Sequence, residues 1–239
     1  MPAMIAMKPA MNETSKRPDW LQQVTFRLKT YWFVKMTGTM AAIAAFMTVY
    51  FLLMWYPQFP VTEVPWTPLD RFIAFRPWSV VPYVSLWPYI SLVAALFVQR
   101  RELVSYLSAI SLLSVAGFVI FFFWPTACVQ PDLDWSRYPL VDFLKSAAPT
   151  ANACPSMHVA FSVLTVLWLH RQLKQIGAPA ALHWINVSWC LLILWSTLAL
   201  KQHLALDLLA GAALGLVISV PHLYFLPSPE PDDPLPTTH

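Results

Sequence analysis

Residues 103–124 read LVSYLSAISLLSVAGFVIFFFW and contain no charged side chain. A helix needs about 20 apolar residues to cross the hydrocarbon core of a bilayer, so this stretch predicts a transmembrane helix. Apolar stretches that are free or nearly free of charged residues also occur at residues 36–56, 78–99, 155–170, 180–200 and 206–226. The sequence therefore predicts an all-α, polytopic membrane bundle of six helices, or five if the short fourth stretch only dips into the bilayer.

The composition agrees with a membrane protein. Hydrophobic residues make up 58% of the chain and charged residues 11%, whereas a soluble domain carries about 25% charged residues. The net charge of +3 is mild, and no nucleic-acid-binding pattern is present. We expect a cytoplasmic N-terminal arm (1–35), a transmembrane catalytic domain (36–226) and a Pro-rich, disordered cytoplasmic tail (227–239).

Basic residues orient the predicted spans, because cytoplasmic loops are enriched in Lys and Arg. One face carries ten of them: Lys8, Lys16, Arg17, Arg27, Lys29, Lys35, Arg100, Arg101, Arg171 and Lys174. The other face carries five: Arg71, Arg76, Arg137, Lys145 and Lys201. This difference predicts that both termini are cytoplasmic. We expect an integral protein of a bacterial inner membrane whose second face is periplasmic.

Three ionisable residues, His158, His203 and Asp207, border apolar stretches on this outward face. A charged side chain within a membrane helix costs about 2.5–3.5 kcal/mol, which favours a functional role. His203 and Asp207 are four residues apart, which predicts one helical face. Asp207 could then accept a hydrogen bond from one imidazole nitrogen and leave the other as nucleophile or base. A helix-capping Asp beside an interfacial His explains the pair equally well.

Residues 155–158 read PSMH and predict a helix start. Ser156 is a suitable N-cap, and the N-terminus of a helix attracts phosphate. His158 would lie in the first turn, although an ordinary capped helix explains the segment too. Arg71, Arg76 and Lys201 are candidate phosphate ligands. We interpret Arg137 and Lys145 as interfacial side chains that snorkel toward water.

These residues together resemble a known family. The sequence CPSMH at 154–158, the pair His203 and Asp207, and LLAGAA at 208–213 are similar to motifs of the type-2 phosphatidic acid phosphatase superfamily. The resemblance covers roughly residues 69–215. The branch of inositol phosphorylceramide synthases and their bacterial relatives is most similar. It shares the pattern Ser-Thr, three residues, Lys-Gln-His, three residues, Asp, which here runs from Ser196 to Asp207.

The resemblance implies a phosphohistidine mechanism that needs no metal or cofactor. By the family's pattern, His203 attacks phosphorus, Asp207 orients it, and His158 protonates the leaving oxygen. Ser156, the amide of Met157 and basic residues, among them Arg76, Lys201 and Arg71, would hold the phosphate. The implied substrate is a lipid phosphate in the bilayer.

Three positions depart from the family's motifs. Leu69 stands where the first motif has Lys, Met157 stands where the second commonly has Gly, and Thr197 stands where the third has Arg. The resemblance therefore implies that the phosphate contacts are redistributed in this chain.

Several alternatives stay open at this point. Hydrolysis makes the protein a lipid phosphatase, whereas a lipid or polyol acceptor makes it a phosphotransferase. His158, His203 and Asp207 could instead form a metal-binding facial triad, or the protein could be a non-catalytic scaffold or transporter. Cys128 and Cys154 fall in one outward loop, where they are either bridged in an oxidising compartment or free thiols.

Overall fold

The computed structural model describes residues 19–147 and 152–226, so the predicted disordered tail (227–239) and most of the predicted N-terminal arm lie outside the described residues. The α-helices of the described chain are α1 (Trp20–Lys29), α2 (Trp32–Trp55), α3 (Pro68–Phe72), α4 (Val80–Val84), α5 (Leu86–Leu96), α6 (Arg100–Phe123), α7 (Pro139–Ala147), α8 (Met157–Gln175), α9 (Ala180–Ala199) and α10 (Ala205–Tyr224). Two short strands, β1 (Thr62–Val64) and β2 (Thr126–Cys128), complete the fold.

The all-α, polytopic character of the bundle is confirmed. Five helical segments of the described chain are long and apolar enough to cross a membrane: Trp32–Trp55, Pro77–Leu96, Arg100–Phe123, Ala180–Ala199 and Ala205–Tyr224. The second of these joins a 3₁₀ turn (Pro77–Ser79), α4 and α5. These five segments identify an integral membrane protein.

The fourth predicted span is the exception, because α8 is not among the five apolar segments. It is nevertheless a continuous helix of 19 residues, about 28 Å long, and it extends to Gln175, beyond the predicted end at residue 170. Histidine and basic residues at its two ends make α8 more polar than its neighbours. A helix enclosed by other helices does not require an apolar surface toward lipid.

Helix α8 forms the centre of the bundle and packs against α5, α6, α9 and α10. Val159, Leu164 and Trp168 are fully buried along it. The crossing with α10 is close because Gly211 faces α8, where a Cβ atom would lie 2.4 Å from the carbonyl oxygen of Ser156. Glycine at this position therefore determines how near the N-terminus of α8 lies to α10.

The loops at the N-terminal ends of α8 and α10 form an ordered layer. Strands β1 and β2 pair in parallel, with Val64 opposite Cys128. Helix α3 begins with a capping box between Thr67 and Asp70. The second carboxylate oxygen of Asp70 accepts a hydrogen bond of 2.8 Å from the amide of Ala205, the first residue of α10. Asp70 therefore joins this layer to the start of α10.

Candidate active site

His158 lies in the first turn of α8, as the sequence predicts. Ser156 is the N-cap, and its hydroxyl accepts a hydrogen bond of 3.4 Å from the amide of Val159. The imidazole of His158 stacks on the Tyr83 ring, with centroids 4.0 Å apart and planes at 12°. Its Nε2 atom is buried and has no hydrogen-bond partner in the described chain. The ring is thus held by packing while one nitrogen stays available.

His203 does not lie on a helix, so the predicted shared helical face with Asp207 is wrong. Helix α9 ends at Ala199, and Lys201 adopts a left-handed conformation with φ +58°. The amides of Gln202 and His203 both donate to the carbonyl of Thr197, which closes a tight turn. His203 therefore lies in the turn that precedes α10.

The His203 ring has a defined proton position. Its Nδ1 atom lies 3.0 Å from the carbonyl oxygen of Ala153. Because a carbonyl can only accept, Nδ1 carries the proton and Nε2 keeps its lone pair. The sequence predicts Asp207 in this orienting role, whereas in the structure a main-chain carbonyl makes the hydrogen bond to Nδ1.

Asp207 is fully buried at the start of α10. Its Oδ2 atom lies 3.7 Å from His203 Nδ1, too far for a hydrogen bond but close enough for charge attraction. The same oxygen accepts hydrogen bonds from the amide of Leu204 at 2.8 Å and from the thiol of Cys128 at 3.0 Å. Asp207 therefore caps the start of α10, as one of the two sequence interpretations predicts, and it also lies close to His203.

The two histidines line one cavity of about 310 Å³. Their ring centroids are 6.3 Å apart, so one group bound in the cavity can contact both imidazoles. One wall of the cavity is apolar and largely aromatic and comes from α2, α4 and α5: Phe46, Met47, Tyr50, Phe51, Met54, Tyr83 and Trp87. The cavity is therefore polar where the histidines lie and apolar along its side.

The predicted phosphate ligands fall in different places. Met157 lines the cavity and Ser156 lies buried beside it, whereas Arg71 and Arg76 are exposed and do not belong to the described lining. Lys201 is buried, and its ammonium donates to the carbonyls of Asp70 at 2.7 Å and Ile73 at 2.5 Å. Lys201 thus holds the end of α3 in place.

Lys145 is the cation that the sequence interpretation missed. It lies on α7, lines the cavity and is half-buried, with Nζ 4.1 Å from the centre of the Trp135 ring. Burial lowers the pKa of Lys145 to about 8. The sequence signal is the i, i+4 spacing of Val141 and Lys145, and in the structure Val141 is buried while Leu140 and Phe143 are exposed. Lys145 shares the inward face of an amphipathic helix.

The side chains that could together bind a metal ion differ from the triad considered from the sequence, which was His158, His203 and Asp207. Cys128, His203 and Asp207 offer donor atoms within 4.8 Å of one another, and His158 is not part of this cluster. All three cysteines are free, so Cys128 and Cys154 are not bridged. Burial raises the pKa of the Cys128 thiol, which keeps it a hydrogen-bond donor to Asp207, whereas a metal requires the thiolate.

Comparison with known proteins places this arrangement in a family. A family model described as the PAP2 superfamily matches residues 102–228, which is more than half of the chain and spans α6 to α10 with both cavity histidines and Asp207. Members of that superfamily are phosphatases and phosphotransferases. Searches of curated proteins and of solved structures return no match. The matched region establishes that the chain belongs to the PAP2 superfamily.

Proposed function

We propose that the protein is an integral-membrane lipid phosphatase that cleaves a phosphate ester or diphosphate through a phosphohistidine intermediate. The observation that carries this proposal is the shared cavity of His158 and His203, with ring centroids 6.3 Å apart and an apolar wall beside them. Two imidazoles on opposite sides of one phosphate suit nucleophilic attack and proton transfer.

The hydrogen bond of His203 supports its proposed role as nucleophile, which leaves His158 as the acid and base. Because Nδ1 of His203 is bound to the Ala153 carbonyl, Nε2 is the atom that attacks phosphorus. The N–P bond forms as the P–O bond to the lipid breaks, and His158 gives a proton to the leaving oxygen. His158 then takes a proton from water, which attacks phosphorus and breaks the N–P bond. Asp207, 3.7 Å from His203 Nδ1, stabilises the positive charge that the ring acquires.

The apolar wall supports a lipid substrate. Phe46, Tyr50 and Phe51 of α2 line this wall together with Tyr83 and Trp87, and the ring centroids of Phe46 and Trp87 are 6.5 Å apart. Helix α2 contributes the apolar segment with the least buried surface, so its other face is available to lipid. A substrate with an acyl or prenyl chain can place that chain along this wall while its phosphate reaches the histidines. A lipid phosphomonoester, a lipid diphosphate and a phosphodiester-linked headgroup all fit this description.

The N-terminus of α8 supports the predicted phosphate site. Ser156 caps the helix and Met157, its first residue, lines the cavity, so the positive end of the helix dipole lies beside the proposed phosphate position. Arg71, Arg76 and Lys201 stay predictions as phosphate ligands. Of these three, Lys201 already has carbonyl partners on α3.

The excess of basic residues on one face supports a periplasmic site in a bacterial inner membrane. His158 and His203 lie at the ends of α8 and α10 that adjoin the loop layer, opposite the ends of α6 and α8 that carry Arg100, Arg101, Arg171 and Lys174. A protein with its C-terminus cytoplasmic would display this layer on the outer side. Labelling of a single cysteine introduced at Phe72, which is 85% exposed, by an impermeant reagent in intact cells tests this orientation.

Phosphotransfer is the second candidate, and Asn152 favours it. Asn152 lines the same cavity, and its Oδ1 atom is buried and has no hydrogen-bond donor in the described chain. An acceptor atom in this position suits the hydroxyl of a lipid or polyol. Transfer and hydrolysis share the phosphohistidine step and differ only in whether this hydroxyl or water attacks it.

A product assay tests both candidates. The purified protein in detergent is incubated with a panel of lipid phosphates, with and without alcohol acceptors, and free phosphate and new phospholipid are quantified. We expect free phosphate and an acid-labile phosphoprotein that His203→Ala does not form. A new phosphodiester would favour transfer. Activity retained by His203→Ala would contradict the phosphohistidine mechanism. Absence of both turnover and labelled protein with the wild type on every lipid phosphate of the panel would favour a non-catalytic role.

A further inference from the structure

We propose that Lys145 provides the positive charge that binds the substrate phosphate, in place of the lysine that the first family motif carries at Leu69. This inference rests on the proposed function and identifies the phosphate subsite of the same cavity. Lys145 lies on α7, outside all three motifs. The site would therefore hold its phosphate with a cation from a separate surface helix.

The positions of the missing motif cations cannot meet this need. Leu69 is an exposed apolar side chain. Thr197 is fully buried, and its hydroxyl donates to the carbonyl of Leu194 in its own helix. The ammonium of Lys201, which neighbours the nucleophile in sequence, is directed to the carbonyls of α3. A dianionic phosphate between the histidines requires its positive partner from elsewhere.

Lys145 is the single Lys or Arg among the residues that line the cavity in the described chain. Its partners are all neutral: the Trp135 ring at 4.1 Å, the side-chain oxygen of Gln130, and the carbonyl of Lys201 at 3.4 Å. Within the described ranges, no carboxylate pairs with its ammonium. A half-buried cation that has only neutral partners is ready to bind an anion.

Gln202 provides an independent indication of the same subsite. It precedes the proposed nucleophile and lines the cavity, and its Nε2 atom is buried without an acceptor in the described chain. An unpaired buried donor costs about 1–3 kcal/mol, which a ligand oxygen would offset. The ammonium of Lys145 and the amide of Gln202 thus offer donors to two phosphate oxygens near His203.

The packing of α7 explains how Lys145 is held. Val141, on the same face, is 2% exposed and packs in a cluster with Val80 and Leu200. Leu200 directly follows α9 and precedes the turn that carries His203. The helix that carries the cation and the turn that carries the nucleophile therefore share one small core, which fixes their relative position.

The test uses the purified full-length protein and two readouts. Lys145→Met keeps the apolar stem against Trp135 but removes the charge, and Arg137→Ala is the matched control because Arg137 lies in the same loop region but is exposed and paired with Asp134. We expect inorganic phosphate to raise the melting temperature of the wild type and of Arg137→Ala, but not of Lys145→Met. Half-maximal inhibition by vanadate should need about 10-fold more vanadate in Lys145→Met, and Lys145→Arg should recover most of the loss.

The outcomes separate this inference from the proposed function. Phosphate stabilisation of Lys145→Met equal to that of the wild type would overturn the role of Lys145, whatever the activity. Activity retained by His203→Ala would overturn the phosphohistidine mechanism, while the phosphate-induced shift in melting temperature would still decide whether Lys145 binds the anion. A melting temperature of Lys145→Met within a few degrees of wild type shows that the lost shift reflects binding.

Discussion

Both ends of the bundle contain buried polar side chains, but in the described chain the cavity end leaves more side-chain atoms without a hydrogen-bond partner than the charged network at the other end, where α1 packs. At the α1 end, Glu102 accepts two hydrogen bonds from Arg171, at 3.0 and 2.8 Å, and another from Gln175. Arg27 of α1 donates through Nη1 to Gln172 at 2.7 Å and to Gln175 at 3.2 Å, although its Nε has no partner. This network ties α1 to α6 and α8.

At the cavity end, three residues of the described chain, at or beside the cavity, each keep a buried polar atom without a hydrogen-bond partner. His158 Nε2, Gln202 Nε2 and Asp207 Oδ1 have none in the described chain. Each unpaired group costs stability that a paired group does not, about 1–3 kcal/mol. The difference teaches that the α1 end is built for stability, whereas the cavity end keeps hydrogen-bonding capacity for a ligand.

The largest expected effect is on activity at the cavity end. His203→Ala and His158→Ala should each lower kcat/KM by at least about 10²–10⁴-fold, because one removes the nucleophile and the other the acid–base group. Melting temperatures should stay near wild type, since His203 gives up a single hydrogen bond to Ala153. Steady-state kinetics and thermal melts of the purified variants check both statements. A folded variant with substantial activity would show that the unpaired atoms have another purpose.

The opposite result is expected at the α1 end. Glu102→Ala removes the carboxylate of a buried ion pair and should cost about 3–5 kcal/mol of stability. The protein that remains folded should keep wild-type kcat/KM, because Glu102 and the histidines lie at opposite ends of the bundle. Denaturant unfolding in detergent measures the first effect, with Glu102→Gln as the isosteric control. A drop in kcat/KM without a drop in stability would break the division between the two ends.

A smaller effect is expected where α10 meets α8. Gly211→Ala places a methyl group against the backbone of Ser156 and should cost about 1–3 kcal/mol while displacing His158. Gly38→Ala on α2 is the control, because nothing lies within 4 Å of its added Cβ and it should be neutral or slightly stabilising. Parallel melting and kinetic measurements compare the two. Equal melting temperatures and equal kcat/KM of the two variants would mean that the α8–α10 crossing accepts an added methyl group without moving His158.

The pH dependence of kcat/KM sharpens the role of Lys145. Its pKa is lowered to about 8 by burial, so the free enzyme loses this charge, and we expect kcat/KM to fall as the pH rises through about 8. Cys128 is the other group that acts on Lys145, and burial raises the pKa of its thiol and keeps it protonated there. Lys145→Arg should remove this alkaline limb, because Arg stays charged.

The free energy of unfolding should change with the ionisation of Lys145 in the direction opposite to kcat/KM. Between about pH 8 and the usual Lys value of 10.5, the unfolded chain binds more protons at Lys145 than the folded chain. The Lys145 contribution to the free energy of unfolding therefore rises with pH in this window, while kcat/KM falls. If kcat/KM of Lys145→Arg still falls as the pH rises through about 8, as it does in the wild type, another group causes that pH dependence.

The smallest expected effect is that of a chelator. Exhaustive EDTA treatment should leave activity unchanged, because the proposed mechanism uses protons and imidazole nitrogens only. Activity that is lost and then restored by one divalent metal would point to the cluster of Cys128, His203 and Asp207. Cys128→Ser distinguishes the two cases, since it weakens a metal site much more than it weakens a hydrogen bond to Asp207.

Much of the fold was predictable because it depends on local properties of the chain. Run length and hydropathy predict the membrane helices, and the apolar segments begin and end within a few residues of the predicted limits. The N-cap at Ser156 follows from the sequence as well, because capping involves residues three apart. The central helix α8 was harder, since its burial by α5, α6, α9 and α10 lets it be more polar than a lipid-facing helix.

Only the tertiary structure decided where the cations and His203, the proposed nucleophile, point. Spacing placed His203 on a helical face, but the left-handed Lys201 ends α9 and leaves His203 in a turn, where a carbonyl from the α7–α8 loop orients its ring. The sequence predicts Lys201 as a phosphate ligand and Lys145 as an interfacial side chain. One binds the carbonyls of α3 and the other enters the cavity, because long side chains follow contacts made by distant segments, which a motif does not encode.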